Sequence, residues 1–134
     1  MKANDLRIGN WVQYDGIPYQ IESLTKVDAV VCSIDIFDFR NRSLEQAQPI
    51  ELTEDVLLKI GFEKVYTVPH NRLRLCVKNG NEITRISYDF LFDDITRLEI
   101  MGNGDSLNKR NIKYLHELQN TYYCLTNEEL EVNL

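Results

Sequence analysis

Two dipeptides limit the folds open to this chain more than any other feature. Asp15-Gly16 joins "LRIGNWVQY" to "IPYQIE", and Asn79-Gly80 follows "RLRLCVK". Both are hairpin signals, because a two-residue β-turn needs two consecutive residues that tolerate positive φ. The flanking segments alternate with period two. Ile17, Tyr19 and Ile21 share one phase of the first hairpin, and Leu73, Leu75 and Val77 share one phase of the second. Antiparallel sheets joined by tight turns are therefore expected in both halves.

Before the first turn, Leu6, Ile8, Val12 and Tyr14 fall in one phase, which predicts a strand. "AVVC", residues 29–32, and the stretch from Ile36 to Phe39 are further strand candidates. Four or five short strands in roughly fifty residues suggest a small closed barrel of the SH3-like kind.

"PIELTEDVLLKIGF" then predicts a helix over 54–60. Thr53 is placed to cap it, Leu52 to pack on Leu57, and Gly61 to end it in the left-handed conformation. A meander is expected over about 62–101, with Thr84, Ile86, Tyr88, Phe90 and Phe92 pointing inward. Ile83 is out of phase with them, which suggests a bulge or a longer turn. Asp93-Asp94 turns the chain into "ITRLEIM", with Leu98 and Ile100 inward. The polar stretch 102–111, "GNGDSLNKRN", reads as a loop.

A helix over about 111–124 buries Ile112, Leu115, Leu118, Gln119, Tyr122 and Leu125 on one arc. Thr126 and Glu129 form a capping-box pattern that predicts one more short turn. The expected fold is α+β, with a barrel module over 1–52 and an α+β module over 53–134.

Composition excludes several function classes. The longest apolar run is four residues and the N-terminal "MKANDLRIGN" has no apolar core, so neither a membrane span nor a secretory signal is expected. Cys32, Cys76 and Cys124 are odd in number and far apart, which suits reduced thiols in a cytoplasmic protein. The formal net charge is −6, so any nucleic-acid contact requires a segregated basic patch.

Chemical motifs are sparse. "HELQN" supplies His116 and Glu117 of an H-E-x-x-H zinc helix, but Asn120 stands where the second imidazole is required, and His70 is the other histidine of the chain. "GNGDS" lacks the Lys-Ser/Thr of a phosphate loop. No catalytic residue, metal or cofactor is expected, and a binding role is favoured over an enzyme. The best candidate surface is the outward phase of the meander, where parity puts Arg72, Arg74, Arg85 and Arg97 on one sheet face, with Lys78 beside them. Such a cluster suits a partner's carboxylates or phosphates, with a protein partner preferred and nucleic acid the alternative. Trp11 is the second candidate. It is out of phase with Val12 and Tyr14, so it either offers an aromatic at the barrel surface or packs between the two modules.

"LRIGNWVQYDG", "PIELTEDVLLKIGFEK" and "IKYLHELQNTYYCLTNEEL" together resemble a family of short, uncharacterised proteins of gut anaerobic bacteria and their phages and prophages. That family shows L-R-I-G-N near the start, P-I-x-L-T-x-x-x-L-x-x-x-G-F in the middle, and H-x-L-Q-N followed by L-T-x-E-E-L at the end. The resemblance implies a cytoplasmic protein of phage or mobile-element type; the expected role is a non-enzymatic binding or accessory protein, with a phage assembly protein or a small hydrolase with a spatially assembled site as alternatives. It carries no catalytic residue onto this chain.

Overall fold

The computed structural model describes residues 1–33, 38–67, 70–79, 82–90, 96–102 and 105–134. It is an α+β protein with two antiparallel sheets.

The first sheet is the meander β1 (Trp11–Tyr14), β2 (Ile17–Leu24), β3 (Asp28–Ser33) and β4 (Asp38–Ser43). Asp15 and Gly16 take φ of 53° and 79°, as the two-residue turn requires. Strand β1 begins only at Trp11. Gly9 has φ 89°, and the Asn10 side chain accepts a hydrogen bond from the Arg7 backbone (2.9 Å), so residues 6–10 curl and leave Ile8 exposed. The predicted strand from Ile36 falls partly outside the described residues, and β4 runs on to Ser43. The described residues form no closed barrel. Among them, the segment after β4 returns to the outer edge of β1 only through the isolated bridge Gln13↔Gln48, whose backbones exchange two 2.9 Å hydrogen bonds. Val12, Tyr14, Tyr19, Ile21, Ala29 and Val31 form this sheet's core.

Helix α1 (Glu54–Lys59) is built as its caps predict. The Thr53 hydroxyl accepts from the Val56 amide at 3.3 Å, and Gly61, at φ 95°, lets the Phe62 amide return to the Leu57 carbonyl at 2.9 Å.

The second sheet contains β5 (Glu63–Thr67), β6 (His70–Asn79), β7 (Glu82–Phe90), β8 (Thr96–Gly102) and β9 (Asp105–Arg110) in sequential order. The β6–β7 register is unbroken from Asn71↔Phe90 to Asn79↔Glu82, so there is no bulge at Ile83. That side chain simply lies on the outer face, 46% exposed. Gly80, and the turn expected at Asp93-Asp94, lie outside the described residues. Strand β9 occupies part of the stretch read as a loop. It is the edge of the sheet, where short polar strands are usual.

Helix α2 (Leu115–Thr126) covers the inner face of this sheet. Leu115, Leu118 and Tyr122 share a core with Leu73, Ile86, Tyr88, Leu98 and Ile100. Glu117 caps its start, one carboxylate oxygen accepting from the backbone of Lys113 (3.0 Å) and Tyr114 (3.1 Å). Asn127, at φ 57°, ends it. Thr126 opens no further turn: its hydroxyl donates back to the Tyr122 carbonyl, and Leu130 and Val132 of the tail enter the core. The core also draws in Trp11, Ile50 and Leu52, and the Leu115 amide bonds the Ile50 carbonyl while the Leu52 amide bonds that of Lys113. Both sheets are thus tied to α2.

Candidate functional site

The predicted basic face exists as a face. Opposed residues of an antiparallel pair share one side of the sheet. The register therefore sets Arg72, Asp89 and Arg97 in one row, Arg74, Ser87 and Glu99 in the next, and Cys76, Arg85 and Met101 in a third. Glu63 stands beside Arg74 and Ile83 beside Lys78. Five cations share the described part of this face with the carboxylates of Glu63, Asp89 and Glu99, whereas the whole chain carries −6.

The four arginines are not equivalent. Arg72 forms a bidentate pair with Asp89, at 2.6 and 2.9 Å, and only 3% of the Asp89 side chain is exposed. That hydrogen-bonded carboxylate raises the Arg72 pKa further above its ordinary value, so the guanidinium stays charged. Arg97 leans on Asn108. The Nε of Arg74 is buried without a partner. Arg85 is exposed, between the exposed Ile83 and Met101. Arg72 is thus largely structural, and Arg85 is the most available cation of the four. Arg72→Ala is expected to destabilise the protein by about 2–3 kcal/mol, because it strands a buried carboxylate. Arg85→Ala should change stability by less than about 0.5 kcal/mol. Urea unfolding of the two variants checks this contrast.

Trp11 takes the other course open to it. It is 2% exposed and sits in the core beneath α2, so it offers no surface aromatic. Strand alternation turns Val12 and Tyr14 into the first core and Trp11 into the second.

The residues of "HELQN" are mostly absorbed by the junction. The side-chain oxygen of Gln119 accepts from the Trp11 backbone amide (3.0 Å) and its NH2 donates to the Gly9 carbonyl (3.1 Å). Asn120 accepts from Asn10 Nδ2 (3.0 Å) and Arg7 Nε (2.9 Å), and donates to the Asp5 carbonyl (3.1 Å). Arg7 completes the lock by pairing with both carboxylate oxygens of Glu129 and lying 4.1 Å over the Tyr123 ring. Asn120, where a zinc helix would carry its second histidine, is therefore a hydrogen-bond hub. Among the described residues, no group of three His, Cys, Asp or Glu side chains could hold a metal.

Beside this lock lies a cleft of about 810 Å³ that sequence reasoning missed. Its walls include Asp5, Pro49, Tyr114, His116, Asn120, Thr121 and Cys124. These positions lie far apart in the chain, and periodicity shows helix faces, not spaces between elements. His116 is 5% exposed, its ring stacked on Tyr114 at 10° with centroids 5.8 Å apart, and its Nδ1 has no partner. A buried polar atom left in that state costs about 1–3 kcal/mol. His116 and Cys124 are two helical turns apart, about 12 Å of rise, and Glu117 is engaged as a cap, so these side chains do not form a nucleophile–base couple.

Burial lowers the His116 pKa below its ordinary 6.5, against weaker opposing effects of Glu117 and Asp5. The unfolded chain therefore binds this proton at a higher pH than the native protein does. Stability is unaffected above about pH 6.5 and is lost as pH falls below it, until the native imidazole also protonates. The slope is at most about 1.4 kcal/mol per pH unit. Denaturant titrations of wild type and His116→Gln should diverge only below that pH, with the wild type falling faster.

No helix among the described residues is long and apolar enough to cross a membrane. Comparison with protein-family models, with curated proteins and with solved structures finds no match.

Proposed function

We propose that the chain is a non-enzymatic binding or accessory protein of phage or mobile-element type, and that the outer face of its second sheet receives an acidic protein partner. The observation that carries this reading is the asymmetry of the sheet. Its inner face is filled by α2, while its outer face is open at Cys76, Lys78, Ile83, Arg85 and Met101 and gathers cations in a net acidic chain. Exposed Ile83 and Met101 beside Arg85 supply the apolar contact that lets a charged face hold a protein. A protein is favoured over nucleic acid because no aromatic stands among the described side chains of this face to stack on bases. Arg7, Gly9, Asn10, Gln119 and Asn120 are occupied in joining the two sheets, which supports a binding role over a catalytic one.

A photo-crosslinking residue placed at position 83, in cells that make the protein, tests the proposal. An adduct with an acidic protein is expected, lost in the Lys78→Glu/Arg85→Glu variant and not formed from position 58 on α1. Adducts that survive charge reversal, or arise equally from position 58, would overturn it. An adduct with a second copy of the chain would replace it with an assembly role.

A further inference from the structure

We infer that the junction cleft is a binding site for a small ligand with a flat apolar body and a neutral or cationic hydrogen-bonding head, with His116 as its anchor. This is independent of the outer sheet face, which lies on the opposite side of the second sheet from α2. Within "HELQN", Leu118 is spent in the core, Glu117 in the helix cap, and Gln119 and Asn120 in the lock. His116 is the residue these roles leave over, almost wholly buried in the cleft wall with Nδ1 unpartnered and its ring held in place by Tyr114. Its Nδ1 is enclosed, so a ligand head that displaces the wall beside the ring can exchange a hydrogen bond with it, and the imidazole is neutral at pH 7 because burial disfavours its charged form.

The remaining walls define the ligand class. The volume of about 810 Å³ lies within the range of small-molecule sites. Pro49, Leu107, Ile112 and Tyr114 give an apolar lining. Among the described residues, the charged groups of the wall are the carboxylates of Asp5 and Glu117 and the Met1 ammonium, which donates to the Leu44 carbonyl. The two carboxylates outnumber the one ammonium among these groups, which favours an aromatic amine or amidine over a phosphate or carboxylate ligand.

Benzamidine is a suitable probe, with benzoate as its anionic counterpart of the same shape. In titrations of the full chain followed by amide and imidazole NMR, benzamidine should shift His116, Asp5 and Thr121 saturably, with a Kd on the order of 1 mM. Benzoate should not shift them, and His116→Phe should weaken benzamidine at least about tenfold. Cys124 lines the cleft and Cys76 does not, and both thiols are exposed, so a second readout needs no variant. Benzamidine should slow alkylation of Cys124 and leave Cys76 unchanged. The inference is overturned if benzamidine gives no saturable shift, if benzoate shifts the same residues equally, or if both thiols are protected alike.

Discussion

Replacing Gln119 by leucine is expected to destabilise the protein by about 1–3 kcal/mol, although the substitution adds apolar volume to a position 1% exposed. The Gln119 amide satisfies the backbone N–H of Trp11 and the backbone C=O of Gly9, and its oxygen also lies 3.5 Å from Asn10 Nδ2. Leucine leaves the Trp11 N–H buried without a partner, at a cost of about 1–3 kcal/mol, while the Gly9 carbonyl keeps Gln20 Nε2 (3.2 Å) and Asn10 Nδ2 keeps Asn120 (3.0 Å). For a domain of this size the change should appear as a fall in Tm of roughly 4–12 °C. Gln119→Glu is informative beside it. It keeps the acceptor for Trp11 but loses the donor for Gly9 and buries a charge, so it should be no milder than leucine. Thermal unfolding of both variants by circular dichroism is the measurement. A Tm within about 2 °C of wild type for the leucine variant would mean that the amide contributes little.

Trp11→Ala is expected to cost more, about 3–5 kcal/mol, for a different reason. The indole is 2% exposed and fills space in the core of the second sheet while its backbone belongs to the first. Removing it opens a cavity at the point where the two sheets meet. Trp11→Phe refills part of that volume and should recover at least half of the loss. If both variants unfold at the wild-type urea concentration, Trp11 does not hold the modules together.

These two residues also show how far the sequence can be read. Local chemistry was legible where it is written locally. Thr53, Leu52 and Gly61 mark α1, because caps and staples act within a turn of the chain. Asp15-Gly16 marks its hairpin because the turn demands two positive φ angles. The outward parity of Arg72, Arg74, Arg85 and Arg97 follows from period two and is found in the strand register.

Long-range roles were not legible. Gln119 falls on the buried arc of α2 by periodicity, but its partners Gly9 and Trp11 lie more than a hundred residues away. Nothing in the pattern tells a buried amide from a packing residue. The pairing of Arg72 with Asp89 follows from cross-strand register, which parity alone does not fix, and it turns a presumed contact residue into a structural one. Barrel closure is expected from the number of strands, yet closure needs a continuous ladder between the edge strands, and among the described residues β1 meets the segment after β4 only through the bridge at Gln48. Strand β9 was missed because edge strands are polar for the same reason loops are.

"LRIGN" and "LHELQN" lock the two sheets into one cooperative unit. Equilibrium urea unfolding, followed by the fluorescence of the single tryptophan at the junction and by far-UV circular dichroism of both sheets, tests it most directly. A single coincident transition is expected for the wild type, separating into two for Gln119→Leu/Asn120→Ala. Two separated transitions already in the wild type, or one coincident transition in the double variant at unchanged midpoint, would contradict it.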